Sequence, residues 1–338
     1  METTNIQYTA KDFKSDQYVR WCPGCGDHAV LNSLQKVLAD LAIPPHQTAI
    51  ISGIGCSSRL PYYVTSYGFH TIHGRGAAIA TGVKVANPKL SVWQITGDGD
   101  CLAIGGNHFI HSVRRNVDIN VLLFNNQIYG LTKGQFSPTT KKGFVTKSSP
   151  FGTVERPFRP AELAFGARGT FFARFLDVDL KVAQSVMLAA AKHKGTSVIE
   201  SLVNCIIFNN GAHGWLAEKE NRPDRTIVLE HGKPMIFGKE RNKGLVLDGM
   251  TLKVVTIGED GVTESDILVH DAHAQDSTIQ LKLAMMEGPE MPIAMGVIRE
   301  VQEETYDAAM EQQILNEQAN SKIKTFDDLI ASCEQWEM

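Results

Sequence analysis

Four cysteines stand where they can meet at a metal. Cys22 and Cys25 form a Cys-x-x-Cys pair, and Cys56 and Cys205 each follow an apolar run. A pair at that spacing chelates one metal or two corners of an iron–sulfur cluster, and two further thiolates complete four ligands. The same spacing suits a redox dithiol ahead of a helix, and a helix is expected just afterwards. Structural zinc more commonly uses two compact pairs. From spacing alone, cluster, zinc and unliganded thiols all remain open. Cys101 reads as a small packed side chain, and Cys333, in an acidic tail, as incidental.

The second constellation is Gly97-Asp98-Gly99-Asp100, with Asn125-Asn126 downstream. Glycines flanking an acid let the backbone approach a phosphate closely. Asp98 offers a hard oxygen to Mg2+, Asn126 a neutral one, and a main-chain carbonyl near Ile128 a third. Magnesium favours octahedral oxygen coordination and is often held by few protein groups plus phosphates. The set would bind a diphosphate through its metal. GDG alone commonly marks a turn. GDG after one strand and NN after the next is far more specific, and it points to thiamine diphosphate. A third candidate, His70-x-x-His73-Gly74-Arg75-Gly76, carries two histidines three apart; His70 reads as a satisfied loop residue.

The elements that position these residues alternate. Val30, Leu34, Val37, Leu38 and Leu41 share one face of a helix over 28–41, with Asp27 as its N-cap. Strands are expected at 47–52, 90–96, 119–124 and 197–203, and helices at 76–87, 104–116 and 179–193. This order predicts an α/β fold, a mainly parallel sheet with helices on both faces. Each motif lies just beyond a predicted strand. Ligands of open α/β sheets bind outside the strand carboxyl ends, so the loops at 53–58, 97–101, 125–132 and 204–210 converge on one site. Residues 131–174 read as one long, functional loop, with eight Lys or Arg against two Glu. Residues 228–300 read as irregular β structure. The tail from 301 reverses the sign, with nine acids and two Lys, and reads as surface helix and extension. The division expected is 1–227, a cofactor domain, and 228–338, a C-terminal extension that contacts a partner.

The 338 residues are 43% hydrophobic and 21% charged, with net charge −4. That composition supports a full core and excludes wholesale disorder. It does not suit a nucleic-acid binder, whose domain is usually strongly basic. No apolar signal core and no run long enough to span a membrane is evident, so a cytoplasmic location is expected. Six cysteines in a reducing compartment favour metal ligation over disulfides.

The strings GDGDCLAIGGNHFIHSVRRN and LFNNQIYGLTKGQFSPTT, with WCPGCG upstream, resemble the β subunits of 2-oxoacid:ferredoxin oxidoreductases, most closely those acting on 2-oxoglutarate. The match runs from about Trp21 to about Gly211. The resemblance implies a thiamine-diphosphate-binding fold and one [4Fe–4S] cluster on Cys22, Cys25, Cys56 and Cys205. It implies Mg2+ on Asp98, Asn126 and the Ile128 carbonyl. Cofactor contacts are then expected from Ile54, Gly55, Cys56, His73, Gly74, Gly97, Asp98, Gly99, Asp100, Asn126, Ile128, Gly130, Leu131 and Thr132. Lys133 and Arg59 are candidates to meet a substrate carboxylate, a dicarboxylate needing a cation at its far end; either is equally a solvated surface charge. The glutamate that activates the cofactor belongs to a larger α subunit, in an α2β2 assembly. The reaction implied converts 2-oxoglutarate and coenzyme A to succinyl-coenzyme A and CO2, reversibly, with electrons passing to ferredoxin. Pyruvate or another 2-oxoacid is the alternative within the family. A non-redox thiamine-diphosphate decarboxylase leaves the cysteines unexplained, and a zinc-binding interaction protein leaves GDGD and NN unexplained.

Overall fold

Short apolar runs with both faces covered build the centre of the molecule, a computed structural model that describes residues 7–334 and Trp336. The strands are β1 (Thr48–Ser52), β2 (Tyr67–His70), β3 (Ser91–Gly97), β4 (Asn120–Asn125), β5 (Phe171–Leu176), β6 (Ser197–Leu202) and β7 (Thr226–Leu229). Then come β8 (Ile236–Phe237), β9 (Lys243–Asp248), β10 (Thr251–Thr256) and β11 (Ile293–Glu300). The main sheet has the order β2-β1-β3-β4-β6-β5-β11-β7. Its first six strands pair in parallel, and β11 joins β5 antiparallel. The smaller sheet, β10-β9-β8, is antiparallel.

The period of two along a strand sorts side chains between two cores. Val121 and Leu123 of β4 enter one, and Leu122 and Phe124 the other. The second core is capped by α1 (Asp27–Asp40), through Val30, Leu34 and Leu38. The first core takes Ala80 of α2 (Gly76–Ala86); the five-residue α3 (Asp98–Leu102) follows β3 directly. It also takes Phe109 and Val113 of α4 (Gly106–Arg115) and Ala161 of α5 (Pro160–Gly166). On the second core's side lies α6 (Leu180–Lys192), whose N-cap Asp179 accepts from the Val182 amide at 3.2 Å. Two single-turn helices, α7 (Gly214–Ala217) and α8 (Arg222–Arg225), precede β7. Next, α9 (Thr278–Ala284) leads to β11. The tail forms α10 (Tyr306–Asn320) and α11 (Phe326–Ser332). No helix among the described residues is long and apolar enough to cross a membrane.

The parallel sheet expected from the sequence is present, with three corrections. Residues 131–174 are not one loop, because α5 and the start of β5, Phe171–Arg174, lie within them. The division at 227/228 is not a boundary: it cuts β7, and β11 from the supposed extension runs beside β5. Asp27 does not cap α1. It is the first helical residue after Gly26, buried, with neither carboxylate oxygen hydrogen-bonded.

Candidate active site

The ends of β1, β3 and β4 open onto one cavity of about 410 Å3. Gly97 ends β3 in an extended conformation, and the chain turns at once into α3, which places Asp98 and Gly99 on the cavity wall. Gly99 is required by close approach: a Cβ there would lie 2.2 Å from Cε1 of Tyr129, whose hydroxyl donates to the Gly99 carbonyl at 3.0 Å. Asp98 is buried, and its Oδ2 accepts from the hydroxyls of Ser137 and Thr139. Burial pushes its carboxyl up to about 6, against the opposing pull of those two hydroxyls. A buried carboxylate in that condition gains from a cation beside it.

Asp100 holds the neighbouring loops together. Its Oδ1 accepts from the Ile54 amide (2.9 Å), the Gly74 amide (2.7 Å) and His73 Nδ1 (3.0 Å). Its Oδ2 accepts from Thr96 Oγ1 at 2.7 Å. An ionised carboxylate only accepts, so His73 Nδ1 carries a proton, and Nε2 can donate to an anion only in the imidazolium form. Gly74 spends its amide on Asp100 and does not line the cavity. The other expected cofactor contacts do line it: Ile54, Gly55, Cys56, His73, Gly97, Asp98, Gly99, Asp100, Asn126, Ile128, Gly130, Leu131 and Thr132. Ser57 and Tyr129, from the loops expected to converge here, and Gln135 also line the wall; sequence reasoning missed Ser137 and Thr139 behind it.

The turn after β4 is fixed from several sides. Asn126 Oδ1 accepts from the Ile128 amide at 3.1 Å, and Gln127 between them takes a left-handed φ of 56°. Thr140 Oγ1 and Asn209 Nδ2 donate to the Gln127 carbonyl, at 2.7 and 3.4 Å. Tyr129 and Gln135 then close a tight loop, with the amide of Tyr129 donating to the carbonyl of Gln135 at 2.9 Å. Lys133 sits inside that loop at φ 77°, a conformation that favours glycine and that a non-glycine residue adopts under strain.

A second cavity of about 220 Å3 adjoins the first, and Cys56, Asn126, Gly130 and Leu131 line both. All four cysteines of the sequence motif, Cys22, Cys25, Cys56 and Cys205, face it. Gly24, at φ 82°, makes the Cys-x-x-Cys turn, and the Cys25 amide donates to the Cys22 carbonyl at 3.0 Å. Trp21 Nε1 donates to the Cys56 carbonyl at 2.6 Å, and the Gly26 amide to the Asn204 carbonyl at 3.3 Å. The three cysteine-bearing segments are thus tied to one another. A Cβ on Gly130 would stand 3.5 Å from the sulfur of Cys56 and 3.6 Å from that of Cys205. Burial, reinforced by the Asp27 charge, pushes the Cys56 thiol up to about 12, and Cys25 is displaced further the same way. Burial also carries Asp27, on the same wall, up to about 7.

Arg20, Arg59 and Lys133 supply this cavity with positive charge. Neither Arg59 nor Lys133 lines the larger cavity, so the structure sets both beside the cysteines. His70 lies apart from both, its Nδ1 3.1 Å from the Tyr62 hydroxyl. Cys101 is buried in the first core and Cys333 is exposed. Among the described residues no group of three His, Cys, Asp or Glu is drawn together tightly enough for one metal ion. A four-iron cluster does not ask for that, since each thiolate there holds a different iron.

Comparison with known proteins agrees with this geometry. Residues 53–201 match the thiamine pyrophosphate enzyme C-terminal TPP-binding domain family. The 2-oxoglutarate oxidoreductase subunit KorB of Mycobacterium tuberculosis is 46% identical over 314 residues, covering 93% of this chain and 83% of that protein. Subunit beta of 2-oxoacid:ferredoxin oxidoreductase 1 from Aeropyrum pernix is 45% identical over 198 residues, or 59% of this chain and 62% of that one. The solved 2-oxoglutarate:ferredoxin oxidoreductase from Magnetococcus marinus, with 2-oxoglutarate, coenzyme A and succinyl-CoA bound, superposes with a TM-score of 0.78. Its sequence is 30% identical, with 98% of each chain covered. With the parallel sheet, the GDG and NN turns on one cavity and a 46% relative over nearly the whole chain, this protein belongs to the KorB family of 2-oxoacid oxidoreductase β subunits, enzyme subunits that work with an α partner.

Proposed function

We propose that this chain anchors thiamine diphosphate and carries the electron exit of a 2-oxoglutarate:ferredoxin oxidoreductase. The observation that supports it most is the shared wall. Cys56, Asn126, Gly130 and Leu131 border both the cavity above Gly97–Gly99 and the cavity of the four cysteines. Asp98, Asn126 Oδ1 and the Ile128 carbonyl would hold Mg2+, and the cation would relieve the buried Asp98 carboxylate. Gly97 and Gly99 line the space a diphosphate would take, and His73, braced by Asp100, can donate to it as imidazolium. Bound thiamine diphosphate supplies the electron sink for decarboxylation of a 2-oxoacid.

Cys22, Cys25, Cys56 and Cys205 would ligate one [4Fe–4S] cluster, a centre that would supply one-electron transfer toward ferredoxin. Buried thiols with raised proton affinity ionise on metal binding, so loading releases protons. Arg20, Arg59 and Lys133 offset the negative charge of a four-thiolate centre. On this reading Arg59 and Lys133 serve the cluster before they serve a substrate carboxylate.

Succinyl-coenzyme A and CO2 are the expected products, formed with coenzyme A in a complex with the α subunit that supplies the activating glutamate. The names of the similar proteins support 2-oxoglutarate over pyruvate. The test is coenzyme A-dependent reduction of ferredoxin by the assembled complex, with each 2-oxoacid in turn. Reduction with 2-oxoglutarate well above that with pyruvate supports the substrate. Pyruvate alone would overturn the substrate, and reduction by neither would overturn the class.

A further inference from the structure

Two charged surfaces take no part in the site. The first is the excursion over 141–159, with Lys141, Lys142, Lys147 and Arg156 against one acid, Glu155; Arg159 at its end pairs with Glu162 and Glu287. Its two arms, neither a regular strand, close on each other: the Gly143 amide donates to the Thr153 carbonyl at 2.7 Å, and the Thr153 amide to the Phe144 carbonyl at 3.0 Å. The root of this finger is fixed at the carboxyl end of the sheet, where Ser137 and Thr139 hold Asp98. Val145, Phe151 and Val154 are 61, 100 and 82% exposed along it. Single exposed apolar side chains are ordinary, but three on one hydrogen-bonded, cationic finger mark a contact surface.

The second surface is the acidic tail. It leaves from the amino end of the sheet, where the Asp118 amide donates to Asp307 Oδ1 at 3.0 Å and Asn116 Nδ2 to the Glu304 carbonyl at 3.1 Å. Every residue from Glu311 to Asn320 is exposed, and so is all of α11. In α11, Phe326, Leu329 and Ile330 fall at i, i+3 and i+4, on one face, with Asp327 and Asp328 beside it. An amphipathic helix with its apolar face uncovered suits an apolar surface on another molecule.

The two surfaces complement each other in charge, and each exposes three large apolar side chains. Within one chain they start from opposite ends of the sheet, about 20 Å apart along a six-residue strand. Helix α10 alone extends about 22 Å away from its anchor. We propose that the tail of one copy of this chain docks on the finger of a second copy. Phe326, Leu329 and Ile330 cover Val145, Phe151 and Val154, ringed by acid–base pairs. Closed two-fold assembly would make the exchange reciprocal. The inference does not rest on the reaction proposed above.

Exposed Cys333 provides the test. In the complex with the α subunit, Phe151→Cys is oxidised mildly against native Cys333. A covalent dimer of this chain, absent when Cys333→Ser is added, is expected. A product joining this chain to the α subunit, a link within one chain, or no product would each overturn the proposal. Charge exchange checks it without a new thiol. Lys142→Glu/Lys147→Glu/Arg156→Glu, or Glu311→Lys/Glu317→Lys/Glu334→Lys, should each weaken self-association about tenfold at low salt. The two sets together should restore it; a combination no better than either set alone would refute the pairing.

Discussion

Replacing Ser137 by alanine removes one of the two hydroxyls that donate to Asp98 Oδ2 and leaves the buried carboxylate in place. Burial already holds that carboxyl near 6, and the two hydroxyls pull it down from a higher value. A hydrogen bond to a buried charged group is worth about 1.5–3 kcal/mol, and 1.36 kcal/mol corresponds to one pH unit, so its loss should raise the carboxyl by about one to two units. The sign follows from which form binds the cation. Mg2+ needs the carboxylate, so in the native sequence Mg2+-dependent thiamine diphosphate affinity should fall as pH drops through about 6. In Ser137→Ala the same fall should begin at roughly pH 7–8. Calorimetric titration of the cofactor into the assembled complex, from roughly pH 5.5 to 8.5 at saturating and limiting Mg2+, reads this directly. The reasoning fails if both proteins lose affinity at the same pH.

Three further outcomes are expected. Gly99→Ala forces the Tyr129 ring off the β3–α3 turn, where the new Cβ would stand 2.2 Å from it, and should weaken cofactor binding at least about tenfold. Unchanged affinity would show that the turn can open. Cys205→Ser should strip iron from the complex while thiamine diphosphate stays bound, read by metal analysis and cofactor release; retained iron would remove Cys205 from the ligand set. Arg174→Met leaves Glu200, now paired with Arg174 Nε at 2.7 Å, buried with only the Asn125 side-chain amide for a partner. Breaking such a pair costs about 3–5 kcal/mol, so chemical denaturation should show a loss of that size. A loss below about 1 kcal/mol would mean water reaches the carboxylate.

The parts of the fold that were legible are those where a short apolar strand ends in an unusual turn. β1, β3, β4 and β6 are buried on both faces, so each reads as a compact apolar run, and the motif beyond each marks its carboxyl end. β5 was hidden because FFARFL carries Arg174, a charge that looks solvated until Glu200, on the neighbouring strand, is seen to pair with it. β2 is a four-residue edge strand, all exposed, and the alternation of Tyr67 and Phe69 is too short a run to mark it. The site followed the same logic. The residues facing the cavities announced themselves by type. Ser137 and Thr139, which hold Asp98 from about forty positions away, sit in a polar loop whose pattern says nothing of what it touches. Arg59 and Lys133 were legible as charges, but only the geometry set them beside the cysteines. Asp27 looked like a helix cap because its type and place fit one, whereas the chain enters α1 a residue earlier, at Gly26.

The central claim is that one chain brings a diphosphate cavity and a cluster cavity to a common wall. Iron, sulfide and thiamine content of the anaerobically purified complex tests it most directly. The expected result is about four iron and four sulfide with one thiamine diphosphate for each copy of this chain, after allowance for any centre that the α subunit alone retains. Thiamine diphosphate without iron, or zinc in place of iron, would contradict it.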